Sequence, residues 1–95
     1  MASGAPNTYR STFTGVAADV TIRKVPFKAK MIKFWTLAGV WGIKIVDEEG
    51  MDGDAYVSNS GVDAGVTIAD DGTITIANGA DVNSAGDPVY YECLQ

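Results

Sequence analysis

The sequence contains no histidine and only one cysteine, Cys93. Zinc, copper and non-haem iron sites usually need imidazole groups or several thiolates, so we expect no metal site. Histidine is also the commonest general acid–base group, and without it no serine, threonine or cysteine has its usual activating partner. A single cysteine cannot form a disulfide within the chain. We therefore expect no enzymatic activity, no catalytic residues and no cofactor.

Long apolar runs are also absent. No stretch approaches the roughly 18 residues that a membrane-spanning helix needs. The first residues lack the basic region and the apolar stretch of a signal peptide. We therefore expect a protein that is made in the cytoplasm and does not enter a membrane.

Leucine is rare, whereas valine, isoleucine and threonine are common, which favours strands over helices. Alternating apolar and polar residues between turn signals predict about seven or eight strands. We expect an all-β fold, a small antiparallel β-sandwich, with a small β-barrel as the alternative. The length predicts one domain, residues 9–95, after a flexible N-terminal arm at residues 1–8. The predicted strands are residues 9–14, 18–25, 30–37, 40–47, 55–58, 65–69, 73–77 and 89–94.

Two hairpins are expected. An Asp70-Asp71-Gly72 turn joins two alternating runs, and glycine supplies the positive φ that such turns require. A turn at residues 38–39 is expected to join the two strands that carry Trp35 and Trp41. We expect both tryptophans in the core or at a subunit interface, because aromatic residues dominate both. A sugar-binding platform is the alternative. The Val20/Ile22 and Ile74/Ile76 pairs are also expected in the core.

Charge is divided unevenly along the chain. All seven basic residues and one acid precede residue 45, whereas eleven acids and no base follow residue 46. The two sets either interleave across paired strands or form faces that meet across subunits or against another protein. Nucleic-acid binding is not expected, because the formal net charge is −5. The acidic stretch 47–54 does not have the residue order of an EF-hand and is predicted to be a solvated loop.

Three segments carry turn and strand signatures: Pro-Phe-Lys-Ala-Lys-Met-Ile at residues 26–32, Asp-Asp-Gly-Thr-Ile at residues 70–74, and Val-Asn-Ser-Ala-Gly-Asp-Pro-Val-Tyr-Tyr at residues 82–91. Together they resemble small virion domains of tailed bacteriophages. Residues 26–32 are similar to a Gly-Phe-basic-Pro-basic-apolar stretch that opens a strand in those domains. Residues 70–74 resemble their late Asp-Gly hairpin, and residues 82–91 resemble an Asn-x-Ser-Gly ending followed by an aromatic last strand. The likeness covers most of residues 9–95. It departs from the pattern in Pro26 for the glycine, in Ala29 for the proline, and in a longer last loop.

The resemblance implies a capsid decoration (cement) protein that binds the outer surface of the head and stabilises it. It also implies a trimer that sits where capsid subunits meet, with the major capsid protein as partner and the virion as location. A carbohydrate- or receptor-binding module of a phage fibre, spike or surface protein is the alternative, and a small cellular β domain is a third possibility. The residues expected at the capsid or subunit interface are Arg23, Lys24, Lys28, Lys30, Trp35 and Trp41.

Overall fold

The computed structural model describes residues 7–95, which form two antiparallel sheets. The first sheet has six strands in the order β1-β9-β3-β4-β5-β6, and the second has three in the order β2-β8-β7. The prediction of a small antiparallel β-sandwich is confirmed. Within the described part of the chain, no helix is long and apolar enough to cross a membrane. The strands are β1 (Thr8–Thr14), β2 (Val20–Ile22), β3 (Met31–Trp35), β4 (Trp41–Ile45), β5 (Ala55–Ser58), β6 (Gly61–Ala64), β7 (Val66–Ile68), β8 (Ile74–Ile76) and β9 (Pro88–Leu94).

Both predicted hairpins are present. β3 and β4 pair so that Trp35 lies directly opposite Trp41. β7 and β8 pair around a turn in which Gly72 has a φ of 90°. One strand, β6, was not predicted, because its sequence Gly-Val-Asp-Ala has no run of alternating apolar residues. β1 begins at Thr8, and residues 1–6, which make up most of the predicted arm, lie outside the described residues.

The core lies between the two sheets. Ile22, Ile74 and Ile76 are buried on the three-stranded sheet, as predicted, and Val20 is half-buried against them. The loop between β8 and β9 also contributes Ala80 and Val82, so it closes the sandwich rather than projecting from it. The six-stranded sheet supplies Ile32, Phe34, Tyr56, Val89, Tyr91 and Cys93.

Of the two places expected for the tryptophans, the core is wrong, and a subunit interface stays a prediction. Trp35 is 41% exposed and Trp41 is 44% exposed. Ile32 and Phe34 occupy the inward face of β3, so Trp35 points to the other side, because successive side chains on a strand alternate between faces. Residues directly opposite one another in an antiparallel pair share a face, so the register carries Trp41 outward with Trp35.

The inward face of β4 therefore carries Gly42 and Lys44. Gly42 leaves room for the Tyr56 ring: a Cβ on Gly42 would lie 3.0 Å from Tyr56 Cε2 and 3.0 Å from Val82 Cγ1. A side chain at this position would compete with a fully buried aromatic residue for the same space.

Candidate functional site

The six-stranded sheet has one face against the core and one face in contact with solvent, which we call the outer face. Its residues follow from the alternation of the strands and from the register. One row across it joins Thr12, Tyr90, Trp35 and Trp41 on β1, β9, β3 and β4. Both tryptophans thus stand beside Tyr90 on a face that no other strand of the described residues covers.

Tyr90, Trp35 and Trp41 form what we call the aromatic strip. The rings of Trp35 and Tyr90 are stacked, with centroids 6.2 Å apart and planes 18° from parallel. Leu37, in the turn after β3, is 86% exposed and extends the apolar surface beyond the end of the strand. Large aromatic side chains that are rigid and partly exposed are typical anchors of protein interfaces.

The rest of the outer face is largely apolar. Lys33 lies opposite both Glu92 and Ile43. The Arg10 guanidinium bonds Glu92 at 2.5 Å, so the charge of this acid is paired within the sheet. The remaining aliphatic members are only partly buried, apart from the more exposed Val62. They are Met31, Ile43, Ile45, Val57, Val62 and Leu94.

Two turns hold the tryptophan end of the outer face in place. The Trp41 backbone N–H donates to Asn59 Oδ1 at 3.1 Å, and Asn59 Nδ2 donates to the Gly39 carbonyl at 2.8 Å. The Val40 N–H donates to Thr36 Oγ1 at 3.2 Å within the turn itself. Asn59 thereby ties the β3–β4 turn to the β5–β6 turn. The strip is positioned before any partner arrives, which reduces the entropy lost on binding.

A polar groove lies beside this end of the sheet. It has a volume of about 610 Å³, and its lining includes Val40, Asn59, Ser60 and Asp81. The Ser60 hydroxyl donates to Asp81 Oδ2 at 3.1 Å, and the Ser58 hydroxyl donates to the same oxygen at 3.3 Å. Because Val40 and Asn59 also flank Trp41, polar groups stand next to the aromatic strip.

The predicted basic residues are exposed but lie away from the strip. Arg23 and Lys24 follow β2, and Lys28 and Lys30 precede β3, whereas Trp35 ends β3. At about 3.3 Å per residue, Lys30 and Trp35 are roughly 16 Å apart along the strand. The structure thus groups the two tryptophans with each other but does not bring them together with the basic residues.

The charges at the basic end interleave, as one of the two readings of the charge pattern expected. Lys28 Nζ lies 3.5 Å from Asp70 Oδ1 in the β7–β8 turn. The pKa of the Asp71 carboxyl is held below its usual value, chiefly by hydrogen bonds from Thr73 and to a smaller degree by the nearby charge of Arg23. Exposed pairs of this kind contribute little stability, which leaves the basic side chains available to a partner.

Lys44 is the residue that the sequence did not single out. It is only 3% exposed, and its Nζ donates to the carbonyls of Met51, Gly53 and Ala55 at 2.8, 3.0 and 2.7 Å. Burial lowers its pKa, while Asp54 and Asp52 act in the opposite direction. The acidic side chains of residues 47–54 are exposed, as predicted for a solvated loop, and the backbone of the same loop folds around this ammonium group. No short sequence motif predicts such a buried lysine, because its three hydrogen-bond acceptors are backbone carbonyls, which every residue has.

Within residues 7–95, no group of three or more acidic or cysteine side chains is placed to hold a metal ion. Comparisons of the chain with models of protein families, with curated proteins and with solved structures found no match. The outer face is therefore interpreted from its own geometry.

Proposed function

We propose that this chain is a non-enzymatic decoration protein of a tailed bacteriophage, which binds the outer surface of the head and stabilises the capsid. The observation that supports this proposal is the outer face, a largely apolar surface with a preorganised aromatic strip. Exposed apolar patches of this kind on small domains mark protein-binding sites. The partner is the major capsid protein, and the location is the virion, as the resemblance to phage virion domains implies.

The physical role follows from mass action. A protein that binds assembled capsomers but not separate ones adds its binding free energy to the assembled state only. A head under internal pressure gains from such contacts between neighbouring capsomers. In this proposal the aromatic strip supplies the apolar contact, and Arg23, Lys24, Lys28 and Lys30 face acidic groups of the capsid. The trimer that the resemblance implies stays a prediction.

Co-sedimentation with heads of the phage that encodes this chain, prepared without the protein, tests the proposal. We expect the full chain to bind. We expect at least a tenfold loss of affinity in Trp35→Ser and in Trp41→Ser, since tryptophans that become buried in an interface are typical hot spots. Thr21→Ala is the control, because Thr21 is exposed on β2 of the other sheet. Absence of binding by the unaltered chain would sink the proposal.

The basic residues are tested separately. Reversal of Lys28 and Lys30 to glutamate is expected to weaken binding to heads and to reduce its salt dependence, because fewer attractive charge pairs remain to be screened. Binding that is unchanged in affinity and in salt dependence would remove the basic residues from the interface while leaving the role of the aromatic strip intact.

A carbohydrate- or receptor-binding module is the second candidate, and the exposed strip favours it too. The stacked Trp35 and Tyr90, the neighbouring Trp41 and the polar groove together offer apolar faces and hydrogen-bonding groups. Titration of a panel of soluble bacterial surface glycans against tryptophan fluorescence separates the two functions. Saturable quenching that is lost in Trp35→Ser would support this module, and an unresponsive emission would count against it.

A further inference from the structure

β1 uses one of its hydrogen-bonding edges, and among residues 7–95 no strand pairs with the other, which we call the open edge. All seven of its residues pair with β9 in one continuous register, from Thr8 opposite Leu94 to Thr14 opposite Pro88. β1 stands at the end of the sheet order, so no strand of the described chain lies on its other side. The open edge is as long as the strand, roughly 23 Å at about 3.3 Å per residue.

The alternation of the ladder decides which residues present backbone groups to this edge. The Gly15 N–H donates to the Asp87 carbonyl at 2.8 Å, and the Gln95 N–H donates to the Asn7 carbonyl at 3.0 Å. These two hydrogen bonds lie at the two ends of the β1–β9 pairing, and the residues that make them on the β1 side, Asn7 and Gly15, are both odd-numbered. Because bonded and non-bonded residues alternate in an antiparallel pair, the odd residues of β1 bond to β9. The residues that face the open edge are Thr8, Arg10, Thr12 and Thr14.

The other edges among the described strands are shorter or protected. β6 has four residues, begins with Gly61 and turns Asp63 inward, where its Oδ2 accepts a bond from the Tyr56 hydroxyl at 3.3 Å. β2 and β7, the edges of the second sheet, have three residues each. Proteins usually protect an edge with short strands, prolines or charged side chains. β1 has neither glycine nor proline, and its one charge, Arg10, is bound to Glu92 on the neighbouring strand.

We propose that a second copy of this chain pairs with the open edge, β1 against β1 in antiparallel orientation, about a two-fold axis at Ser11. The sequence of β1, Thr-Tyr-Arg-Ser-Thr-Phe-Thr, is nearly symmetric about Ser11. In this register Tyr9 faces Phe13 of the second copy, and Arg10 faces Thr12 of the second copy. The four edge-facing residues of each copy then exchange up to about eight backbone hydrogen bonds.

The side chains favour this register over its neighbours. A shift by two residues in one direction places Arg10 opposite Arg10 of the second copy, and like charges directly opposite are destabilising. A shift by two residues in the other direction places Tyr9 opposite Gly15 of the second copy, which has no side chain to contact the ring. Tyr9 and Phe13 are only half-buried in one copy, so an added strand covers apolar surface that the single chain leaves at the margin of the core.

The contact joins the two six-stranded sheets into one continuous sheet. A two-fold axis between antiparallel strands is perpendicular to the sheet, so the outer faces of both copies point in the same direction. Two aromatic strips then face one surface, a geometry suited to bivalent binding. The inference does not rest on the proposed function. The two-fold contact also differs from the three-fold assembly that the resemblance implies.

Sedimentation equilibrium of the full chain across a dilution series, together with amide hydrogen exchange followed by NMR, tests the inference. The contact is smaller than a standard interface of about 800 Å² per partner, so we expect a concentration-dependent dimer with a dissociation constant on the order of micromolar. As the concentration rises, the amides of Arg10, Thr12 and Thr14 become protected. The amides of Ser11 and Phe13 are protected at every concentration.

Two substitutions of opposite charge at the exposed Thr12 are expected to change the dimer affinity in opposite directions. Thr12→Glu places an acid opposite Arg10 of the second copy and tightens the dimer, whereas Thr12→Lys loosens it, each by several-fold to about tenfold. Leu37→Ser leaves the dimer unchanged, because Leu37 lies in the β3–β4 turn and β9 stands between β3 and β1. A monomer at all concentrations, or an oligomer of any size in which the amides of Arg10 and Thr12 stay unprotected, would overturn the inference. Protection that arises only when phage heads are added would assign the edge to a capsid strand instead.

Discussion

Lys44 shows how a single buried charge can organise a loop. Its aliphatic stem lies in the core side of β4, and its ammonium group is the common donor to three backbone carbonyls in and after the acidic loop. Desolvation opposes the charged form, as the lowered pKa indicates. The hydrogen bonds and the nearby carboxylates of Asp52 and Asp54 offset that cost. The loop therefore depends on one side chain that lies outside its own sequence.

Replacement of this side chain by an apolar one of similar length is expected to be costly. Lys44→Met leaves three carbonyls without their donor, so we expect the free energy of unfolding to fall by about 2–4 kcal/mol. Lys33→Met is the matched control, because Lys33 is exposed on the partner strand, and its loss is expected to cost under about 0.5 kcal/mol. Urea denaturation of both variants measures the difference. Equal stability of the two would contradict the role given to Lys44.

The loop between β8 and β9 has no regular secondary structure, but side-chain hydrogen bonds and close packing fix its position. Asn83 Oδ1 accepts the Val16 N–H at 2.9 Å, while its Nδ2 donates to the carbonyls of Ala18 and Ala77 at 2.9 and 3.1 Å. Close contact also fixes the path of the loop. A Cβ on Gly15 would lie 2.0 Å from the Ser84 carbonyl oxygen. This loop joins the two sheets at the end of the sandwich near the aromatic strip.

Loss of the Asn83 amide is expected to loosen this end of the sandwich. Asn83 is only 4% exposed, so Asn83→Ala leaves buried backbone groups unpaired and lowers the free energy of unfolding by about 2–3 kcal/mol. Asn78→Ala, at an exposed position of the same loop, is expected to change it by under about 0.5 kcal/mol. Chemical denaturation gives both values. Faster exchange of the Val16 amide in Asn83→Ala alone would locate the effect in the loop.

The response of the whole molecule to alkaline pH combines several buried groups. Burial is the main cause that raises the pKa of the Cys93 thiol to about 11 and that of the Tyr56 hydroxyl to about 12. The unfolded chain releases these protons near pH 9.0 and 10.0, so the folded state binds more protons in between. Lys44 acts in the opposite direction. Its lowered pKa means that the unfolded chain holds this proton more tightly, and its deprotonation offsets part of the loss.

The net expectation is stability that is retained below about pH 9 and falls as the pH rises toward 12. Each raised group contributes on the order of 3 kcal/mol of the loss, since its pKa is raised by about two units and one unit corresponds to about 1.4 kcal/mol. Urea midpoints measured from pH 7 to pH 11.5 follow the decline. Tyr56→Phe is expected to flatten it, whereas Tyr90→Phe on the outer face is not. A stability that stays constant to pH 11.5 would contradict this account.

Local patterns in the sequence determined the all-β fold class and the positions of most strands. Alternation with a period of two separated Ile32 and Phe34 from Trp35, and it separated Val89, Tyr91 and Cys93 from Tyr90. The Asp-Gly turn fixed the β7–β8 hairpin, because a positive φ is a property of a few neighbouring residues. These features depend on short stretches of chain, and the structure confirms them.

The tertiary structure alone decided which faces and edges are covered. Alternation says that the two faces of β3 and β4 differ, but not which one meets the second sheet, so the outward tryptophans and the inward Lys44 could not be predicted. The open edge of β1 depends on its pairing with β9, whose residues lie near the other end of the chain. Both outcomes arise from contacts between distant segments. Packing of the whole core selects those contacts, and no short stretch of sequence encodes them.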